Sequence, residues 1–232
     1  MTIEIAVKVH DGLVLAADSA TTLVQRDSSG QTRETNIYNN ANKVMNLFKG
    51  LPIGLMSWGL GSIGSSSIST LGKDLRRRLQ GEDSDYPDWA IDPSKYSIEE
   101  IAIRVREFFY EENYLTTMPA GVPPVNPLGL LIGGYSSNGN QAEVFTLNAD
   151  ENGCTPPSPT LTQEYGAVWS GQPEAITRLN SFDSVQGARR WVAQLKSRRF
   201  LSMKGLNGSS GSITIQVHSI CEGVSHGRKL QR

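Results

Sequence analysis

The tightest constraint on the fold lies in the first eighteen residues. Ile3, Ile5, Val7 and Val9 alternate with Glu4, Ala6 and Lys8, the period-2 pattern of a half-buried strand. His10-Asp11-Gly12 supplies turn residues, and Leu13-Val14-Leu15-Ala16-Ala17 is a continuous apolar run ending at Asp18, as expected of a strand covered on both faces. Together they make a hairpin whose open end coincides with the start of the chain. With the turn centred on His10-Asp11 or Asp11-Gly12, residue 2 pairs with a residue between about 19 and 21. Asp18 then lies within a few residues of Thr2 on the neighbouring strand.

After a polar stretch at 25–41, strands are expected at 43–48 and 52–58, joined by Lys49-Gly50-Leu51. A helix is expected from near Ser62, with Ile63, Ile68, Leu71, Leu75 and Leu79 largely on one face. The acidic, proline-containing segment 81–94 reads as a loop. Ser97 with Glu100 has the form of a capping box, and Ile98, Ile101, Val105 and Phe108 form the buried stripe of a helix ending near Leu115. Beyond the proline-rich stretch 119–127, the sequence predicts strands at 128–135, 141–147 and 165–169 and a short helix at 173–179. A further helix at 188–197 and an alternating strand at 212–220 complete the pattern. This order indicates an α+β layered domain with antiparallel sheets rather than a βαβ array. A chain of 232 residues suits a single core.

Composition excludes several function classes. No apolar stretch approaches the roughly 20 residues a membrane span requires, and the N-terminus lacks the basic and apolar blocks of a secretory signal, so a cytoplasmic protein without membrane contact is expected. Cys154, Cys221 and three scattered histidines show no ligand spacing, so no metal is expected. The net charge of −1 divides unevenly: residues 1–183 hold 13 basic and 22 acidic residues, whereas 184–232 hold 9 basic residues and one acidic, Glu222. No aromatic platform accompanies the basic excess, which favours contact with acidic faces of the same or a neighbouring subunit over nucleic acid. Gly59-Leu60-Gly61-Ser62-Ile63-Gly64 spells the G-x-G-x-x-G of a dinucleotide-binding turn. A Rossmann unit would continue into a parallel strand with an acidic end, whereas 80–96 is polar and broken by proline. Nucleotide binding is therefore not expected.

The chemistry gathers at the open end of the hairpin. A threonine at a free N-terminus has a general base of its own, an α-amine with an ordinary pKa of about 7.7 to 8. A nearby cation lowers that pKa and keeps the amine neutral, and Lys43, at the start of the third strand, is placed to supply one. Asp18 would hold that lysine charged and oriented.

Thr2, the DGLVLAAD segment at 11–18, NKVMNL at 42–47, the glycine-rich turn at 59–61, GGY at 133–135 and WSGQPEA at 169–175 resemble, in order and approximate spacing, the proteasome β-subunits and their bacterial relatives HslV and the Anbu group. The resemblance spans about residues 2–179. It implies a four-layer αββα sandwich of the N-terminal-nucleophile hydrolase type. It also implies Thr2, exposed by removal of Met1, as nucleophile and base, Asp18 and Lys43 as the charged pair, and Ser170 as a supporting hydroxyl. Gly59 would donate its N–H to the oxyanion, with Gly61 the alternative because the preceding hairpin is about two residues longer than usual. Thr22 would contact the substrate backbone. The implied activity is hydrolysis of peptides or unfolded proteins in a homo-oligomeric ring or open helical ring, without a cofactor and with an ATPase unfoldase as a candidate partner. Two departures stand out: Ala20 replaces the family's usual arginine, and no aspartate follows Asp183. Residues 180–232 do not follow the family pattern. A non-catalytic subunit of a proteasome-like assembly and an amidohydrolase acting on a small amide are the competing readings.

Overall fold

A computed structural model describes residues 3–10, 12–19, 21–26, 32–38, 41–117, 127–150, 152–171 and 215–220, with the backbone alone described at 21–26, 32–38 and 215–220. Fourteen strands are described: β1 (Ile3–Val9), β2 (Gly12–Asp18), β3 (Thr21–Arg26), β4 (Thr32–Tyr38), β5 (Val44–Asn46), β6 (Ile53–Gly59), β7 (Ser62–Ile63), β8 (Ser66–Ser67), β9 (Leu128–Gly134), β10 (Glu143–Asp150), β11 (Gly153–Cys154), β12 (Ser158–Thr160), β13 (Gly166–Gly171) and β14 (Ile215–Ile220). Between β8 and β9 lie α1 (Ile68–Leu79), a single 3-10 turn at Pro87–Trp89, and α2 (Ile98–Arg106). The segment Glu107–Tyr114 continues α2 as a π-helix and closes in one α-turn, Leu115–Thr117.

One sheet has the order β13-β1-β2-β14; a second has the order β11-β10-β9-β6-β5, with β12 also paired to β10. Every described pair is antiparallel, which removes the parallel-strand context a dinucleotide fingerprint at 59–64 would need. The two sheets meet across one apolar cluster. Ala6, Leu13, Leu15 and Ala17 of the first pack with Val44, Met56, Leu131 and Val144 of the second. The alternate residues of the second sheet, Met45, Leu55, Leu130, Ile132, Phe145 and Leu147, bury against α1 and α2 through Leu71, Leu75, Leu79, Ile98, Ile101 and Val105. That two-sided burial explains why β6 and β9 are apolar without alternation.

The expected hairpin forms, with Val9 paired to Gly12 and Glu4 to Ala17. The first strand differs from expectation in one respect. It is buried on both faces except at Ile3, because β1 lies between β13 and β2 and its even-numbered residues face the second sheet. The predicted strand pair around Lys49-Gly50-Leu51 forms, Val44 opposing Met56. The polar stretch 25–41, in contrast, contains β4 and the end of β3, paired as a hairpin. Helix α1 starts at Ile68 rather than Ser62. Residues 62–63 pair with 66–67, and the Ser67 hydroxyl then caps the helix by accepting the Thr70 N–H. Ser97 likewise accepts the Glu100 N–H; the Glu100 side chain, which a capping box would turn back to the Ser97 N–H, pairs with Arg104, and the Ser136 hydroxyl accepts the Ile98 N–H. The π-segment carries this helix to Thr117, beyond the expected end at Leu115. Strand β10 sits two to three residues later than predicted, and β14 falls within the strand expected at 212–220. The helices expected at 173–179 and 188–197 lie outside the described residues. Among the described residues no helix is long and apolar enough to cross a membrane.

Candidate active site

The β1–β2 register brings the last residue of β2 beside the first of β1. There the Ile3 N–H donates to Asp18 Oδ1 at 2.9 Å. The chain entering β5 is clamped at the same place by backbone bonds, Ala41 N–H to the Ser19 carbonyl at 2.9 Å and Ser57 N–H to the Lys43 carbonyl at 3.1 Å. Lys43 is thereby delivered to the end of β2, and its Nζ donates to the same Asp18 Oδ1 at 2.8 Å. Both side chains are more than nine-tenths buried. A buried ion pair holds only with close geometry and further hydrogen bonds to its oxygens, and here the Ile3 N–H supplies one.

Thr2 lies outside the described residues. Its carbonyl carbon is bonded to the nitrogen that donates to Asp18, which sets the ion pair one peptide link from that residue. On the other flank of β1, Ser170 of β13 is half-buried and pairs directly with Glu4. Asp18, Lys43 and Ser170 are therefore gathered at one end of the first sheet, around the first residues of β1. Gly59 ends β6, a strand that packs on both β1 and β13. Its φ of +81° lies in the left-handed region that glycine tolerates best. Gly61, two residues further, is exposed, and its carbonyl accepts the Ile68 N–H at 3.1 Å, which ties it to the start of α1. Thr22 falls on β3 opposite Ile37, and its side chain is outside what is described.

One group in this neighbourhood escaped the sequence reading. Glu4 is fully buried, and neither of its carboxyl oxygens has a hydrogen-bond partner among the described residues. Burial pushes its carboxyl up to about 9, with Lys43 opposing and Asp18 adding to the rise. Alternation placed Glu4 on a polar face; only the position of β1 inside the sheet, covered by a second sheet, turns that face inward. Lys8, on the same face, is also buried and donates to the Leu161 carbonyl at 3.1 Å, and burial lowers its ammonium below the usual lysine range against the pull of Glu143. Cys154 is a free, half-buried thiol whose pKa burial raises.

The arrangement offers a fixed cation beside the chain's first residues, a carboxylate that orients it, a hydroxyl on the adjacent strand, and a buried acid between them. No protein-family model matches the chain, and no curated protein matches it.

Proposed function

We propose that this chain is a threonine-type peptidase in which Thr2, made N-terminal by removal of Met1, is the nucleophile. The observation that carries this reading is the single Asp18 oxygen that accepts both the Lys43 ammonium and the Ile3 N–H. That geometry holds a buried cation against the start of β1, where a positive charge favours the neutral form of an α-amine.

The amine takes the Thr2 hydroxyl proton as the oxygen bonds to the substrate's carbonyl carbon. The resulting ammonium returns that proton to the leaving nitrogen as the C–N bond breaks, leaving an ester on Thr2. Water then attacks the ester with the amine again as base, and the hydroxyl regains its proton as the acid departs. Gly59, or Gly61, donates its N–H to the oxyanion, an interaction worth about 3 to 4 kcal/mol in acyl transfer. Ser170 supports the proton transfers and Thr22 contacts the substrate backbone. No cofactor enters the cycle. In this reading the two packed sheets are the centre of a four-layer αββα sandwich, and copies assemble into a ring or open helical ring around peptide or unfolded-protein substrates.

Turnover of short fluorogenic peptides by the wild-type chain, abolished in Thr2→Ala and strongly reduced in Lys43→Met, is the expected result. Turnover that survives Thr2→Ala contradicts the proposal. The lack of any aspartate after Asp183, where the resembling family carries one, favours a second reading as a non-catalytic subunit, and assembly without turnover would support it. Cleavage of small acyl amides with no cleavage of peptides would indicate the amidohydrolase instead.

A further inference from the structure

We propose, building on the Thr2 reading above, that Glu4 is a positioning residue of this site: an uncharged carboxylic acid beside the Asp18–Lys43 pair that keeps the cluster electrically neutral while Thr2 works and suppresses turnover when it ionises. The placement is geometric. Glu4 sits in β1 directly between Ala17 of β2 and Ser170 of β13, on the face whose next member, Ala6, packs into the cluster between the sheets. It is fully buried with both oxygens unpartnered among the described residues. A carboxylate so placed has no donor among the described residues to offset its lost hydration, whereas the neutral acid loses far less. Its raised pKa of about 9 expresses the same burial.

The described charged groups around Glu4 are few. Asp18 comes from the end of β2 and Lys43 from the segment before β5, and these two balance each other at 2.8 Å. Lys8 shares the face of β1, but its ammonium is turned to the Leu161 carbonyl. Strand β13 contributes Ser170, which pairs directly with Glu4. With Glu4 protonated the described charges of the cluster, Asp18 and Lys43, sum to zero, and the field of Lys43 acts on the Thr2 amine. An ionised Glu4 would add a negative charge that raises the basicity of that amine and also opposes the oxyanion formed when Thr2 attacks. The second effect persists at alkaline pH, where the amine is already deprotonated.

Two measurements on the full chain test the inference. In the pH profile of kcat for a fluorogenic peptide, wild type is expected to fall several-fold as pH rises past about 9, and Glu4→Gln is expected to lose that fall. An identical alkaline fall in Glu4→Gln overturns the inference. In a Thr2→Ala background, which removes any dependence on turnover, infrared difference spectra between Glu4 and Glu4→Gln should show a protonated-carboxyl band at pH 7. That band should vanish at alkaline pH, with a lower midpoint in Asp18→Asn because a neighbouring negative charge is gone. Its absence at pH 7 likewise overturns the inference. A wild-type chain that shows the band but no turnover defeats the peptidase reading, and the positioning role with it, while leaving the charge state of Glu4 established.

Discussion

Lys43 and Asp18 meet at 2.8 Å with side chains only 9% and 8% exposed, so removing either charge takes a close ionic partner from a buried group. Lys43→Met nearly conserves volume but leaves the Asp18 carboxylate buried without its cation, and loss of about 3 to 5 kcal/mol is expected for such a break. Urea denaturation should register this as a lower midpoint with an unchanged slope. A Lys43→Met chain as stable as wild type would mean that the pair is solvated. Glu4 predicts the opposite sign. Its carboxyl rises from 4.5 to about 9 on folding, so between those values the unfolded chain releases a proton that the folded chain keeps. Stability is therefore full below about 4.5 and is lost as pH rises toward 9. Glu4→Gln removes this slope and should gain on wild type by as much as about 3 kcal/mol at pH 7, with the difference closing near pH 4.5. Parallel stability–pH curves for the two chains would show that Glu4 titrates normally. A buried acid that costs stability and lies beside a proposed nucleophile fits a site selected for chemistry rather than for folding.

Among the elements, β9 shows how little slack the sandwich has. At Gly134 an added Cβ would stand 2.1 Å from the Pro52 carbonyl oxygen and 3.2 Å from the Ile53 Cα. These are backbone atoms at and just before the start of β6 and cannot rotate away. Gly134→Ala is expected to cost about 1 to 3 kcal/mol or more through overpacking, read as a drop in thermal midpoint; an unchanged midpoint would contradict the register of β6 against β9. The elements legible from sequence were those with an apolar signature: the β1–β2 hairpin, the β5–β6 pair, β9, and the stripe Ile98, Ile101, Val105 and Phe108 that runs along α2 into the π-segment. Those missed lacked one. Thr21–Arg26 and Thr32–Tyr38 carry β-branched but mostly polar residues, so their pairing left little hydrophobic period to detect. The two-residue ladder at 62–67 consumed what looked like the first turns of α1, since the serines there suit a cap or a turn as well as a helix.

For the whole molecule, layering decides what the sequence could and could not disclose about the site. Hairpin arithmetic was enough to place Asp18 beside the first residues of β1. Lys43 was legible only as a candidate cation, because its meeting with Asp18 depends on how the segment before β5 is held against the end of β2. Glu4 was hidden because its burial depends on a second sheet that no local pattern reports, and Lys8 shares that face for the same reason. Ser170 became adjacent only through the antiparallel pairing of β13 with β1, across more than 160 residues of chain. The account stands on Thr2 carrying both a free amine and a reactive hydroxyl. Intact-mass analysis after treatment with a peptide epoxyketone, which joins to both groups at once, tests this most directly. The expected result is a chain that begins at Thr2 and gains one inhibitor equivalent, with no gain in Thr2→Ala. A chain that retains Met1, or an adduct that persists in Thr2→Ala, would contradict the account.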